Sequence, residues 1–291
     1  MAHEIPDESA EVLAAVLAAL PELAARHAPD TSTYHLLGTV ARRAVAESFS
    51  SEHPFPVQFG DFGRIVFPFR RMGAITSLEL FGLDELMMFS FYLRQRERYK
   101  RVLDIGANIG LHSLLLSRCG FTVDSFEPDP ITCHSLRSTM AANACTSVTI
   151  HEAAVSISTG STEFVRVLGN TTGSHVAGAK KHPYGNLERF AVKTAAIGDI
   201  LRGVDFMKLD AEGHEAAILC ATDVDHWDST EAMVEIGSAE NAAAVLRHMS
   251  SLDVNLFAQM RGWNRVRSMA DMPRSYRDGS LFVTKQNAMP W

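Results

Sequence analysis

The chain has 291 residues, 46% of them apolar and 21% charged, the ordinary make-up of a globular protein with a sizeable buried core. Its net charge of −7 disfavours nucleic acid and anionic lipid as general partners. No apolar run reaches the roughly 18–20 residues of a membrane-spanning helix. The N-terminus is acidic where a secretory signal carries positive charge. The four cysteines, Cys119, Cys133, Cys145 and Cys220, form neither a CxxC pair nor a zinc-finger pattern, so reduced thiols and a cytoplasmic location are expected.

Val12, Leu13, Val16, Leu17, Leu20 and Leu23 recur at three- and four-residue steps and predict a helix over Ser9–His27, with Asp7 and Ser9 as caps and Pro21 as a kink. A second helix is expected over Tyr34–Phe49. Both are alanine-rich and carry no catalytic pattern, so packing or a homodimer contact is their expected use. Two short apolar runs flank Gly60-Asp61-Phe62-Gly63 and predict a β-hairpin. A helix over Asp84–Arg98 closes this N-terminal extension, residues 1–98.

From residue 99 onward, strands and helices alternate. Strands are expected at Val102–Ile105, Thr122–Phe126, Val148–Ala154, Asp205–Leu209 and Ala232–Ile236, with late ones at Val254–Ala258 and Ser280–Thr284. Helices are expected at Leu111–Cys119, Ile131–Asn143, His214–Cys220 and Asn241–Met249. Right-handed crossovers make this a doubly wound α/β domain with a mostly parallel sheet. Ser156–Ile200 interrupts the rhythm with one strand candidate, Thr162–Leu168, and a long polar loop, and long loops in compact domains are often functional.

The strongest chemical signal is VLDIGANIG, Val102–Gly110, an apolar strand running through a glycine turn into a helix. A dinucleotide fingerprint would need glycine at positions 108 and 111, which are Asn108 and Leu111. That counts against a nicotinamide oxidoreductase, the competing enzyme reading. There is no P-loop either. S-adenosylmethionine has no phosphate, and the turn suits it better. Asp104 at the strand end can meet its ammonium, turn N–H groups its carboxylate, and Glu127 at the tip of the next strand its ribose.

A second signal lies at the same sheet edge. Asp210, Glu212, His214 and Glu215 crowd within six residues after the strand Val204–Leu209. A capped helix start accounts for one of these acids, but not readily for all four groups.

Together these residues resemble the FkbM family of S-adenosylmethionine-dependent methyltransferases. The carriers are VLDIGANIGLHS (Val102–Ser113), FEPDP (Phe126–Pro130), EAAVS (Glu152–Ser156) and MKLDAEGHE (Met207–Glu215). The resemblance implies a class I methyltransferase fold with a seven-stranded, mostly parallel sheet, and methyl transfer, usually to oxygen. It implies that Asp104, Gly106, Asn108 and Gly110 hold the methionine part and Glu127 the ribose, followed by Pro128 and Asp129. Glu152 and Ala153 would lie by the adenine, and Asp210 between cofactor and acceptor. The acceptor would be a hydroxyl on a small molecule, polyketide or glycan.

Removal of a hydroxyl proton requires a base within reach. Asp210, Glu212 and His214 are the candidates, with His214 favoured for its near-neutral pKa. Asp210, Glu212 and Glu235 are also an oxygen set of the kind magnesium or calcium takes, although three carboxylates without a neutralising partner are costly to bury. A divalent metal is therefore a secondary expectation, and no ligand is assigned to it. The loop from Asn170 to Asn186 is the expected acceptor-binding segment, through Asn170, Thr171, His175 and Tyr184, with Lys180 nearby. A non-catalytic binding protein on the same fold is the alternative of a different class.

Overall fold

The N-terminal residues fold as helices because their apolar side chains recur on one face, and they end where proline interrupts the backbone ladder. A computed structural model of the chain describes residues 8–73, 75–180 and 185–291. Helix α1 (Glu8–Ala19) gives way to a 3₁₀ turn, Pro21–Arg26, so the expected single helix to His27 is broken at Pro21. Proline lacks the N–H that an α-helix interior needs. Ser9 lies inside α1 rather than capping it, and its hydroxyl donates to Glu47 at 2.5 Å. Asp7 falls outside the described residues. Helix α2 (Ser32–Phe49) is capped by Thr31, whose Oγ1 accepts from the Tyr34 N–H. The predicted hairpin is present as β1 (Val57–Gln58) and β2 (Arg64–Ile65).

Helix α3 (Leu83–Arg94) is buried on most of its circumference, from Leu86 through Tyr92. It is the inner layer between α1 and the sheet. Leu13, Phe49, Phe59, Phe81 and Phe89 share one apolar core with Val102, Leu114 and Phe206. The apolar stripe of α1 is thus consumed within the chain.

The alternating region gives β3 (Arg101–Ile105), α4 (Leu111–Arg118), β4 (Thr122–Phe126), α5 (Pro130–Ala142) and β5 (Val148–His151). After an insert come α6 (Ile197–Ile200), β10 (Phe206–Leu209), α7 (Glu215–Leu219), β11 (Glu231–Val234), α8 (Ala239–Ser251), β12 (Asn255–Ala258), β13 (Asn264–Arg265) and β14 (Leu281–Thr284). The main sheet has the order β13-β12-β14-β11-β10-β3-β4-β5. Strands β11, β10, β3, β4 and β5 are mutually parallel, and β14 runs antiparallel to β11 and β12. This is the doubly wound, mostly parallel sheet that the alternation predicts, with eight strands rather than the expected seven because the two-residue β13 is added at its edge. The central strands are buried on both faces, which is why they read as continuous apolar runs rather than alternating ones.

The insert between β5 and β10 departs from expectation. The predicted strand Val148–Ala154 is two strands, because the chain leaves the main sheet after His151. Strand β6 (Ala154–Ser156) joins a second sheet with β7 (Gly160–Leu168), β8 (His175–Val176) and β9 (Asn186–Ala196), in the order β6-β9-β7-β8. Strand β9 falls at the end of the expected polar loop and beyond it. Its signal is the alternation of Phe190, Val192 and Thr194, diluted by Glu188, Arg189 and Lys193 on a half-exposed surface.

Candidate functional site

The strand order reverses between β3 and β10, and at such a switch point the loops beyond the strand ends part to leave a crevice. Here the crevice is a cleft of about 660 Å3, counting the space open to solvent. Its floor is Ile105, Gly106 and Asn108. One wall is Phe126–Asp129 with Thr132, and another is Ala153–Val155. Asp210–Glu212 close a third side. Phe164, Thr172 and Ser174–Val176 from the insert form the remainder.

Gly106 has φ +75°, and a Cβ there would stand 1.7 Å from the Asp210 carbonyl oxygen. Only glycine lets β3 and β10 close up at the floor. The turn does not offer the expected nest of free amides. The N–H groups of Gly106 and Ala107 both donate to the Phe126 carbonyl. Asn108 N–H donates to Glu127 Oε2 at 2.9 Å, Ile109 N–H to the Asn108 side chain, and Gly110 N–H to Ala107. Asn108 sits at φ +50°, a left-handed conformation that asparagine tolerates better than most residues. Its side chain thereby stitches the turn.

Glu127 is buried at the tip of β4, with each oxygen accepting one backbone N–H, from Asn108 and from Asp129. Burial pushes its pKa up to about 7. Each oxygen keeps a second lone pair for a ligand hydroxyl.

Beneath the floor lies Lys208, buried in β10. Its ammonium donates to the Gly106 carbonyl at 3.2 Å and stands 3.8 Å from Asp104 and 3.6 Å from Asp210. Burial alone would lower its pKa, but Asp210 and Asp104 outweigh that and hold it charged. Asp104 is fully buried, and its Oδ2 accepts from Ser113 at 2.6 Å. It lies off the cleft wall, braced against Lys208. Asp210 does reach the cleft, and its buried Oδ1 has no hydrogen-bond partner among the described residues.

Beyond β10 the loop sends its four ionisable groups in different directions. Glu212 faces the cleft at φ +50°, a conformation strained for a residue of this kind, and it pairs with Lys180 at 2.6 Å. Burial, then Asp210, raises its pKa to about 7, with Lys180 opposing. Glu215 turns inward and accepts from the Ala211 and Gly213 amides. His214 lies outside the cleft wall with Nε2 3.1 Å from Ser156 Oγ, and burial lowers its pKa. It stands at the N-terminal cap of α7.

Of the remaining expected residues, Pro128, Asp129 and Ala153 line the cleft. Glu152 points outward to Arg137 at 3.1 Å, and Gly110 packs against Leu136 and Met140 of α5. His175 lines the cleft rather than a separate acceptor loop, with Nδ1 donating to the Gly173 carbonyl. Asn170 bridges to Gly73 at the tip of the insert, and Thr171 opens the turn Thr171–Gly173. Tyr184 lies outside the described residues.

Glu235 is raised well above the usual carboxylate range by burial, then by Asp210 and Glu85. Among the described residues, no group of three or more His, Cys, Asp or Glu side chains is arranged to hold a metal ion. Lys208 and Lys180 meet the charge of Asp210 and Glu212 instead, so the carboxylate set expected for magnesium or calcium does not assemble.

The sequence pattern did not point to Arg166 or Tyr276, whereas Lys208 stands within the MKLDAEGHE run. The Tyr276 ring covers Gly237, where a Cβ would stand 2.2 Å from it, and the Lys180 ammonium lies 5.9 Å above that ring. Burial, then Glu215 and Glu212, raises the phenol pKa, so the hydroxyl stays protonated.

A doubly wound sheet with a glycine floor and an acid at the tip of its second central strand is the frame of a nucleotide- or S-adenosylmethionine-binding domain. The chain belongs to the FkbM methyltransferase family, whose domain matches residues 104–264, more than half of the chain. No curated protein sequence matches it. Among solved structures it is similar to a precorrin-6y C5,15-methyltransferase from Geobacter metallireducens GS-15, with TM-score 0.38 and 11% identity over 68% of this chain and 86% of that one. It is also similar to an S-adenosylmethionine-dependent methyltransferase from Agrobacterium tumefaciens, with TM-score 0.41 and 9% identity over 80% and 70%. No helix among the described residues is long and apolar enough to cross a membrane.

Proposed function

We propose that this protein methylates a hydroxyl oxygen of a small-molecule or glycan acceptor, with Glu212 as the base. The observation that carries this reading is the Asp210–Glu212 pair at the tip of β10. One carboxylate there has an unpartnered buried oxygen, and the other is tuned to a pKa of about 7.

The cleft fits S-adenosylmethionine on three counts. Gly106 leaves room at the floor, Glu127 presents a buried carboxylate at the ribose position, and the unpartnered Asp210 Oδ1 suits a cationic group. Gly106, Asn108 and Asp210 would hold the methionine end, Glu127 the ribose, and Pro128, Asp129 and Ala153 the adenine. When bound, the cofactor supplies a methyl group on a sulfonium, already activated for displacement.

The protein's share is orientation and proton removal. Glu212 accepts the proton that the acceptor hydroxyl loses as its oxygen bonds to carbon. A base with pKa near 7 is ionised in a useful fraction at neutral pH and still basic enough to take the proton. Lys180 and Tyr276 flank it and would contact the acceptor.

Calorimetry with S-adenosylmethionine and with NAD, followed by turnover to S-adenosylhomocysteine on a panel of hydroxylated acceptors, tests the reading. Binding of NAD in preference to S-adenosylmethionine would sink it. So would methylation of carbon or nitrogen when the product is mapped by NMR.

A further inference from the structure

Strand β7 carries Phe164 and Arg166 on one face, and β9 carries Phe190 and Glu188 opposite them in register. Phe164 lines the cleft, so this face looks toward the cofactor edge. Arg166 reaches from it to Asp129 with a two-bond fork, Nε to Oδ2 at 2.6 Å and Nη2 to Oδ1 at 2.7 Å. Its guanidinium lies 4.6 Å from the Phe190 ring centre and also pairs with Glu188 at 2.5 Å. The Arg166 and Asp129 side chains are only 11% and 4% exposed.

Asp129 is more than an ion-pair partner. Its Oδ1 caps α5 by accepting from Ile131 and Thr132, and its own N–H donates to Glu127 Oε1. Glu127 Oε2 in turn accepts from Asn108 in the glycine turn. A continuous chain of hydrogen bonds therefore runs from the insert, through the cap of α5, to the acid at the ribose position and the cleft floor.

We infer that Arg166 is a positioning residue for the cofactor. Its fork on Asp129 fixes the Asp129–Glu127–Asn108 chain and couples docking of the β7–β9 arm to cofactor binding. The inference rests on the cleft being the cofactor site. A lysine cannot replace it, because a single ammonium cannot hold both carboxylate oxygens in one plane. Coupling is reciprocal, so a bound ligand must also steady the arm.

The test uses S-adenosylhomocysteine as the probe, with calorimetry and amide hydrogen exchange on the full chain. Arg166→Ala and Arg166→Lys are both expected to bind it at least about tenfold more weakly. Ligand-induced protection of β7 and β9 should fall in both variants, while protection at the glycine turn persists at saturation. Arg189→Ala is the control, because it removes an ion pair on the same sheet (Arg189–Glu163, 2.6 Å) whose side chains are 49% and 51% exposed. It should bind as the native protein does. A purely structural role would lower the melting temperature of the ligand-free protein and leave the affinity of the folded fraction unchanged. Native affinity in folded Arg166→Ala overturns the inference, and so does full rescue by Arg166→Lys, which also decides the matter if the alanine variant fails to fold. Failure of the native protein to bind S-adenosylhomocysteine overturns the cofactor-site reading and this inference together.

Discussion

Two of the ion pairs that tie the insert to the parallel domain, Arg166–Asp129 and Lys180–Glu212, are built differently. Arg166–Asp129 is dry, two-pronged and anchored in a helix cap, with side chains 11% and 4% exposed. Lys180–Glu212 is single-pronged and wetter, at 23% and 28%, and one partner sits in a strained backbone conformation with its pKa near 7. A bidentate pair with its lone pairs satisfied holds geometry. A strained acid with a removable partner is suited to exchange protons and to release its partner when an acceptor arrives. On the proposed reading, the first end holds and the second reacts.

The largest effect should come from disrupting the floor that both ends share. Gly106→Ala places a Cβ 1.7 Å from the Asp210 carbonyl and forces a left-handed alanine. Binding of S-adenosylhomocysteine should weaken by on the order of 100-fold or more, since strain and steric exclusion act together. Calorimetry showing a loss under tenfold would mean that the floor yields.

Next in size, Glu212→Gln should reduce kcat by about 10²–10⁴-fold, the usual range for a general base, with cofactor affinity changed by less than about threefold. The separation is the point of the comparison. If kcat survives and affinity falls, the reactive end has been misassigned.

The third prediction concerns pH and stability. Burial, then Asp210, raises the folded pKa of Glu212 from its ordinary 4.5 to about 7. Between those values the folded state binds more protons than the unfolded one, so this group destabilises the fold increasingly as pH rises from 4.5 to 7, and fully above 7. Glu212→Gln should therefore be more stable than the native protein at pH 8, by about 1–3 kcal/mol. The advantage should vanish near pH 4.5. Denaturant melts at the two pH values check the sign, and an advantage that grows on acidification would refute it.

A smaller effect is expected from Lys180→Ala. Removing the cation that opposes the rise should shift the acid limb of the pH–rate profile upward, by roughly half a unit to one unit. No shift would mean that Lys180 has no electrostatic hold on the base. Smallest of all, Arg189→Ala should alter unfolding free energy by less than about 0.5 kcal/mol, as exposed pairs do.

Much of this arrangement could be read along the chain. The strand–helix alternation, the Gly106–Asn108 turn, Glu127, and Asp210 with Glu212 all emerge from local pattern, because backbone conformation and apolar periodicity are written in neighbouring residues. The choice among four crowded groups could not be read in this way. Asp210, Glu212, His214 and Glu215 crowd one loop, and a near-neutral pKa favours His214 as the base, yet the loop turns two of the acids toward the cleft, Glu215 onto backbone amides and His214 to Ser156. Asp104 has the expected place at a strand end, but it is fully buried off the cleft wall, with its Oδ2 accepting from Ser113.

What the sequence determined by itself is the sheet, its glycine floor and the acids at its edge. Tertiary structure alone decided which of those acids face the cleft and which residues from elsewhere meet them. Arg166 meets Asp129 across 37 residues and Lys180 meets Glu212 across 32, while Tyr276 arrives from the far end of the chain. Such pairs depend on how a second sheet packs over the first, and no local periodicity encodes that distance.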